Sequence, residues 1–125
     1  MASQPPSAHV ADASLTRYAD LLAAMGAEPR LRIIRALMAA HPDGLVVGEI
    51  TAAVGISGST LSHHLERLKV EHLVIVQRQS NFLRYRVDVA TIRQLVAWFV
   101  AECCSNTEVL DPRGTATATS SSSRA

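Results

Sequence analysis

Apolar residues recur along this chain at two periods, and the change between them outlines the fold. Between Ser14 and Met25, Leu15, Tyr18, Leu22 and Met25 fall three or four residues apart, which predicts a helix with one apolar stripe that ends at Gly26. A second helix is predicted from Glu28-Pro29, a position where proline's missing N–H costs nothing. Leu31, Ile34, Leu37 and Met38 form its apolar face, and His41-Pro42-Asp43-Gly44 ends it. A third helix covers Val47 to Val54 and closes at Gly55, with Val46 standing where Ser or Thr would cap better. A fourth opens at Ser57, a good N-cap residue, and continues to Glu71. There the period falls to two. Strands are predicted at Leu73–Arg78 and Phe82–Val87, joined by Gln79-Ser80-Asn81, and Leu83, Tyr85 and Val87 alternate with Arg84 and Arg86. A last helix should run from Val89 to Cys104. Its apolar residues Ile92, Leu95, Val96, Trp98, Phe99 and Val100 cover more than one face, so the surplus is expected to pack on a second subunit.

The pattern describes a mainly α chain with a small β-hairpin (α+β): residues 1–13 as a flexible arm, 14–110 as one folded domain, and 111–125 as a disordered low-complexity tail. Of the 125 residues 48% are apolar, a high share for so small a monomer and a further reason to expect a dimer. No run of about eighteen apolar residues is present, so no membrane span is expected. The opening MASQPPSAHVADAS has neither a basic cluster nor an apolar core of a secretory signal, so the expected location is cytoplasmic. No Ser/His/Asp set, phosphate-cradling loop or carboxylate pair stands out, and no enzyme is expected.

A short helix, a turn at Gly55, a second helix of small polar residues and a basic hairpin form a winged helix-turn-helix pattern, in which the second helix enters a DNA major groove. Net charge is only +1, but from Ser57 to Arg86 five cationic residues (Arg67, Lys69, Arg78, Arg84, Arg86) face two acidic ones (Glu66, Glu71). At about 100° per residue, Leu65 and Leu68 fall within about 40° of Leu61, which should anchor this helix to the core. Ser59, His63 and Glu66 then lie opposite, with Ser62 and Arg67 flanking them and His64 beside the leucines. Ser57, Ser59, Thr60, Ser62, His63 and Arg67 are the candidate DNA contacts on the helix, and Arg78, Arg84 and Arg86 the candidate phosphate contacts on the hairpin. A winged helix used for protein contact instead of DNA is the competing reading.

Three segments, MGAEPRLRIIRAL (25–37), GEITAAVGISGSTLSHHLERL (48–68) and HLVIVQRQSNFLRYRV (72–87), together resemble the ArsR (ArsR/SmtB-type) family of small winged-helix repressors. The resemblance implies a homodimer formed by the first and last helices. It also implies binding to an imperfect inverted repeat of double-stranded DNA, and release on capture of an inducer.

Cys103 and Cys104 are the only cysteines, adjacent at the end of the last helix, and they resemble the ligand pair of arsenic-responsive members of that family. Thiolates are soft ligands that select thiophilic centres, here trivalent arsenic or antimony as an inducer, with no obligatory cofactor implied. Neighbouring side chains on a helix point about 100° apart, so chelation by both sulfurs should loosen the helix end. Arsenite prefers three sulfurs. A third could come from a small thiol or the partner subunit, whereas a methylated arsenical needs only two. The alternatives are a redox or sulfide response, or another thiophilic metal. A thiolate at a helix C-terminus beside Glu102 is electrostatically disfavoured, which argues against a highly reactive redox thiol.

Overall fold

The computed structural model describes residues 6–103, with side chains from 13 to 102. Its elements are α1 (Pro6–Met25), α2 (Glu28–Ala39), β1 (Leu45–Val46), α3 (Val47–Val54), α4 (Gly58–Val70), β2 (Val74–Gln79), β3 (Phe82–Val87) and α5 (Val89–Cys103). Among the described residues, those up to Thr91 form one compact unit, and α5 from Ile92 onward belongs to another. The tail at 111–125 lies outside the described residues, as do Met1 to Pro5 and Cys104. Among the described residues, no helix is long and apolar enough to cross a membrane.

α1 starts at Pro6, eight residues before the start that its apolar stripe predicts, so part of the segment expected as a flexible arm is helical. Proline fits the first turn because its N–H would be unbonded there, and Ala8, Ala11 and Ala13 favour the helix that follows. The stripe itself is also reassigned. Leu21 and Ala24 are buried, while Leu15 and Leu22 are 55% and 44% exposed. α1 carries apolar residues on two sides, and periodicity does not say which side meets the core. On α2 the predicted Ile34 and Leu37 are buried, joined by Ile33, whereas Leu31 and Met38 are exposed.

The core of the first unit gathers these side chains with Ile50 and Val54 from α3, Leu61, Leu65 and Leu68 from α4, and Leu73, Val74 and Val87 at the hairpin base. Each buried leucine contributes about 2 kcal/mol relative to an exposed one. α4 ends through a left-handed residue: His72 has φ 61°, and Leu73 N–H reaches back to the Leu68 carbonyl at 3.0 Å.

The sheet has three strands in the order β1-β3-β2, all antiparallel. The hairpin turns through Ser80 and Asn81, with Ser80 at φ 54°, and pairs Gln79 with Phe82 and Val74 with Val87. β1 has no counterpart in the sequence reading, because two residues are too few to show an alternation. Leu45 pairs with Tyr85 and Val46 with Arg84, which places the start of α3 directly against the hairpin. Val46, the poorly capping residue that precedes α3, donates its N–H to Glu49 Oε1 at 2.9 Å.

Gly44 makes the pairing possible. It sits at φ 80°, and a Cβ there would overlap the Tyr85 carbonyl oxygen and Arg86 Cγ. Gly44→Ala should therefore lower stability by about 3 kcal/mol, from strain at positive φ plus overpacking. Gly55→Ala, at φ 75° with open space around it, should cost only about 1 kcal/mol. Urea denaturation of both variants checks this, and equal penalties would show that the β1–β3 approach is not tight.

Candidate nucleic-acid interface

The orientation of α4 follows from its three leucines. Leu61, Leu65 and Leu68 are at most 2% exposed, and the remaining faces turn outward. Ser59, Thr60, Ser62, His63, Glu66 and Arg67 are all exposed, as is Ser57 before the first turn. Among the described residues Arg67 has no ion-pair partner, whereas Glu66 accepts an ion pair from Lys69 at 3.4 Å. The helix therefore presents hydroxyls and one imidazole along its first two turns, and a free guanidinium further on.

Ser57 occupies the N-cap position, yet its side chain makes no capping hydrogen bond. Gly58, the first residue of α4, has φ 67°, a left-handed value that glycine adopts readily. The Ser57 hydroxyl is exposed and uncommitted to the helix it precedes.

His64 lies on the inner edge of the helix. It is half-buried, and Arg30 of α2 approaches its Nδ1 at 3.3 Å. Arginine can only donate, so Nδ1 accepts and the ring's proton is on Nε2. Burial first, then the charge of Arg30, then His63, lowers the pKa of His64 below 6.5.

The hairpin arginines divide between two faces. The register places Ile75, Gln77, Gln79, Phe82, Arg84 and Arg86 on one face and Val74, Val76, Arg78, Leu83, Tyr85 and Val87 on the other. Near the hairpin base the second face is the core side, with Val74 and Val87 buried, but its outer end is open and Arg78 is exposed there. Arg84 is held in place: its Nε donates to Gln79 Oε1 at 2.8 Å and its Nη1 to the Gly44 carbonyl at 3.2 Å. Arg86 is half-buried, and its Nε is a buried donor without an acceptor. These two arginines, with Gln77, Gln79, Pro42 and Asp43, line an open cleft of about 430 Å3 between the hairpin and the loop after α2. Four donor side chains against one carboxylate make it a surface suited to anions.

Of the remaining sequence-predicted site residues, Cys103 closes α5 and Cys104 lies outside the described residues. Among the described residues no three His, Cys, Asp or Glu side chains come together as a metal site.

This geometry has close counterparts. A family model described as a helix-turn-helix domain matches residues 25–76. The HTH-type transcriptional regulator YgaV of Escherichia coli (strain K12) is 33% identical over 85 residues, covering 68% of this chain and 84% of YgaV. The homodimeric winged helix-turn-helix DNA-binding domain Mb0332 of Mycobacterium bovis is described as a possible ArsR-family transcriptional regulator. It superimposes with a TM-score of 0.60 at 30% identity, covering 82% of this chain and 92% of that domain. The chain belongs to the ArsR family. Reduced HlyU from Vibrio cholerae N16961 is also similar, with 26% identity and a TM-score of 0.58, covering 74% of this chain and 95% of HlyU. As an ArsR-family member the chain is a winged helix-turn-helix transcriptional regulator and not an enzyme.

Exposed cations on such a regulator should act through phosphates and exposed hydroxyls through bases. Arg78→Gln should weaken binding about equally on all DNA sequences and reduce the slope of log affinity against log salt by about one. Ser62→Ala should leave that slope intact and relax base preference at one position of the site. Salt titrations on specific and scrambled duplexes check both, and an unchanged slope for Arg78→Gln would remove it from the interface.

Proposed function

We propose that the protein is a homodimeric transcriptional repressor that binds an inverted repeat of double-stranded operator DNA. In this reading, α4 enters the major groove and the hairpin grips the backbone. Release follows when a trivalent arsenical (arsenite, methylarsenite or antimonite) is captured by Cys103 and Cys104. A regulator of this kind works in the cytoplasm, where its operator is.

The observation that carries the DNA reading is the division of α4. Three buried leucines fix its rotation, and Ser59, Thr60, Ser62, His63 and Arg67 all face outward. The dimer is supported by apolar surface left open on both helices expected to form it: Leu15 and Leu22 on α1, Val96 and Phe99 on α5. It is supported also by the likeness to a homodimeric winged helix-turn-helix domain.

The sensor rests on chemistry. Cys103 closes α5 and Cys104 follows it in sequence. If both sulfurs bind one centre, neighbouring helical side chains about 100° apart would chelate poorly, so capture would loosen the helix end. If α5 is a dimerising helix, that loosening alters the spacing of the two copies of α4. A coupling of about 1–3 kcal/mol would lower DNA affinity roughly 5- to 150-fold. A second reading, oxidation of the same thiols, is favoured by the likeness to HlyU in its reduced form.

Fluorescence anisotropy of the reduced protein on its upstream DNA separates the two. Arsenite, methylarsenite, Zn(II) and an oxidant are titrated separately, with Cys103→Ser alongside. Release by an arsenical, lost in the variant, is the expected result, and methylarsenite acting alone would indicate a two-sulfur site. Release by the oxidant only would establish the redox reading and end the arsenical one.

A further inference from the structure

The outward face of α4 is set by its leucines, but its angle to the rest of the first unit needs another constraint, and two arginines supply it. Arg30 of α2 donates through Nε to the carbonyl of Ala24 near the end of α1 and through Nη1 to His64 in the middle of α4. Arg17 of α1 donates through Nη1 to Glu71 Oε1 at 3.1 Å and through Nη2 to the Glu71 carbonyl at 3.3 Å, at the C-cap of α4. Seven residues separate His64 from Glu71, about 10 Å along the helix axis. One point of attachment would let a helix pivot, whereas two points that far apart fix its direction.

We propose that Arg30 and Arg17 are positioning residues that hold the angle of α4 relative to α1, and that the Arg30–His64 link holds only while the His64 ring is neutral. The proposal rests on the DNA-binding reading for its effect on DNA, but not for the link itself.

The chemistry of the link is one-sided. Arg30 has no acceptor to offer, so a proton on Nδ1 removes the only acceptor and sets two cations 3.3 Å apart. Of the elements packed on α4, α2 brings Arg30 to the ring, α1 brings Arg17, which is paired to Glu71, and β2 has Arg78 as its only charged side chain, which is exposed. His63, on α4 itself, has its ring 6.1 Å from that of His64 and adds to the positive surroundings. Among the described residues the influences on the ring are its burial, Arg30 and His63, and each of them disfavours the proton. Because the folded pKa lies below the unfolded 6.5, the unfolded chain takes up the proton first. The contribution of the neutral ring is therefore complete above about pH 6.5 and is lost as pH falls through the folded value.

The test uses the full chain with His64→Asn and Arg30→Met. In the first variant, Oδ1 stands close to where Nδ1 stands, so it accepts from Arg30 at every pH. DNA affinity is read by anisotropy between about pH 8 and pH 5.5, together with thermal unfolding without DNA. Taking wild type relative to His64→Asn cancels every pH effect that the two proteins share. Affinity should be equal near pH 8, and wild type should become about fivefold weaker near pH 5.5. Arg30→Met should be about fivefold weaker already at pH 8. A flat ratio across the range would overturn the proposal, as would a His64→Asn protein that melts like wild type yet binds DNA as weakly as Arg30→Met. If no protein binds DNA at any pH, the DNA reading fails, and unfolding alone decides the link. Wild type must then lose stability relative to His64→Asn as the solution is acidified below about pH 6.5, and an unchanged difference would overturn it.

Discussion

The burial of Leu61, Leu65 and Leu68 is the constraint on which the rest of the site depends. Side chains at this spacing share one side of a helix, so committing them to the core decides which residues of α4 meet water. Removing one of them would cost about 2–5 kcal/mol and, more to the point, would free the rotation of the helix that carries the candidate DNA contacts. The other elements act around this choice. α3 packs on α2 and sets the turn at Gly55. Gly44 lets β1 close on β3 and bring the hairpin against the start of α3, and the two arginine links tie α4 to the long first helix.

Much of this was legible in the sequence where the signal is local. α2 and α3 begin where Glu28-Pro29 and Val47 predict, and β3 spans the alternation from Phe82 to Val87. What escaped was of two kinds. β1 is two residues long and owes its existence to a partner forty residues away, so no local pattern announces it. The inward face of α1, and the edges of that of α2, are ambiguous in the sequence because both helices carry more apolar residues than one face needs. Ile34 and Leu37 are buried as the pattern predicts, but Leu21 and Ile33 are buried where Leu15, Leu22, Leu31 and Met38 are exposed. Surplus apolar surface on α1 belongs with the surplus predicted on the last helix, where Val96 and Phe99 are exposed. Both are what a protein that pairs with its own copy would carry.

The candidate site divides in the same way. The outward residues of α4 could be placed from helical geometry once the leucines were recognised. The hairpin arginines could be counted but not sorted, because their two faces depend on the turn at Ser80-Asn81, and a shift of one residue would exchange them. Arg84 and Arg86 belong partly to the structure of the wing, and Arg78 stands apart on the other face. The links from Arg30 to His64 and from Arg17 to Glu71 span 34 and 54 residues, beyond any local sequence signal. His64 was placed beside the leucines from its angle on the helix, which left its partner unknown.

On the reading proposed above, α4 and the hairpin together form the DNA-facing surface of the molecule. The most direct measurement is the change in backbone amide NMR shifts of the labelled protein when its upstream duplex is added. The largest changes should fall at 57–67 and at 77–86, with the amides of the buried α2 residues Ile33, Ile34 and Leu37 little affected. Changes centred on the exposed apolar residues of α1 or α2, with α4 unperturbed, would contradict it.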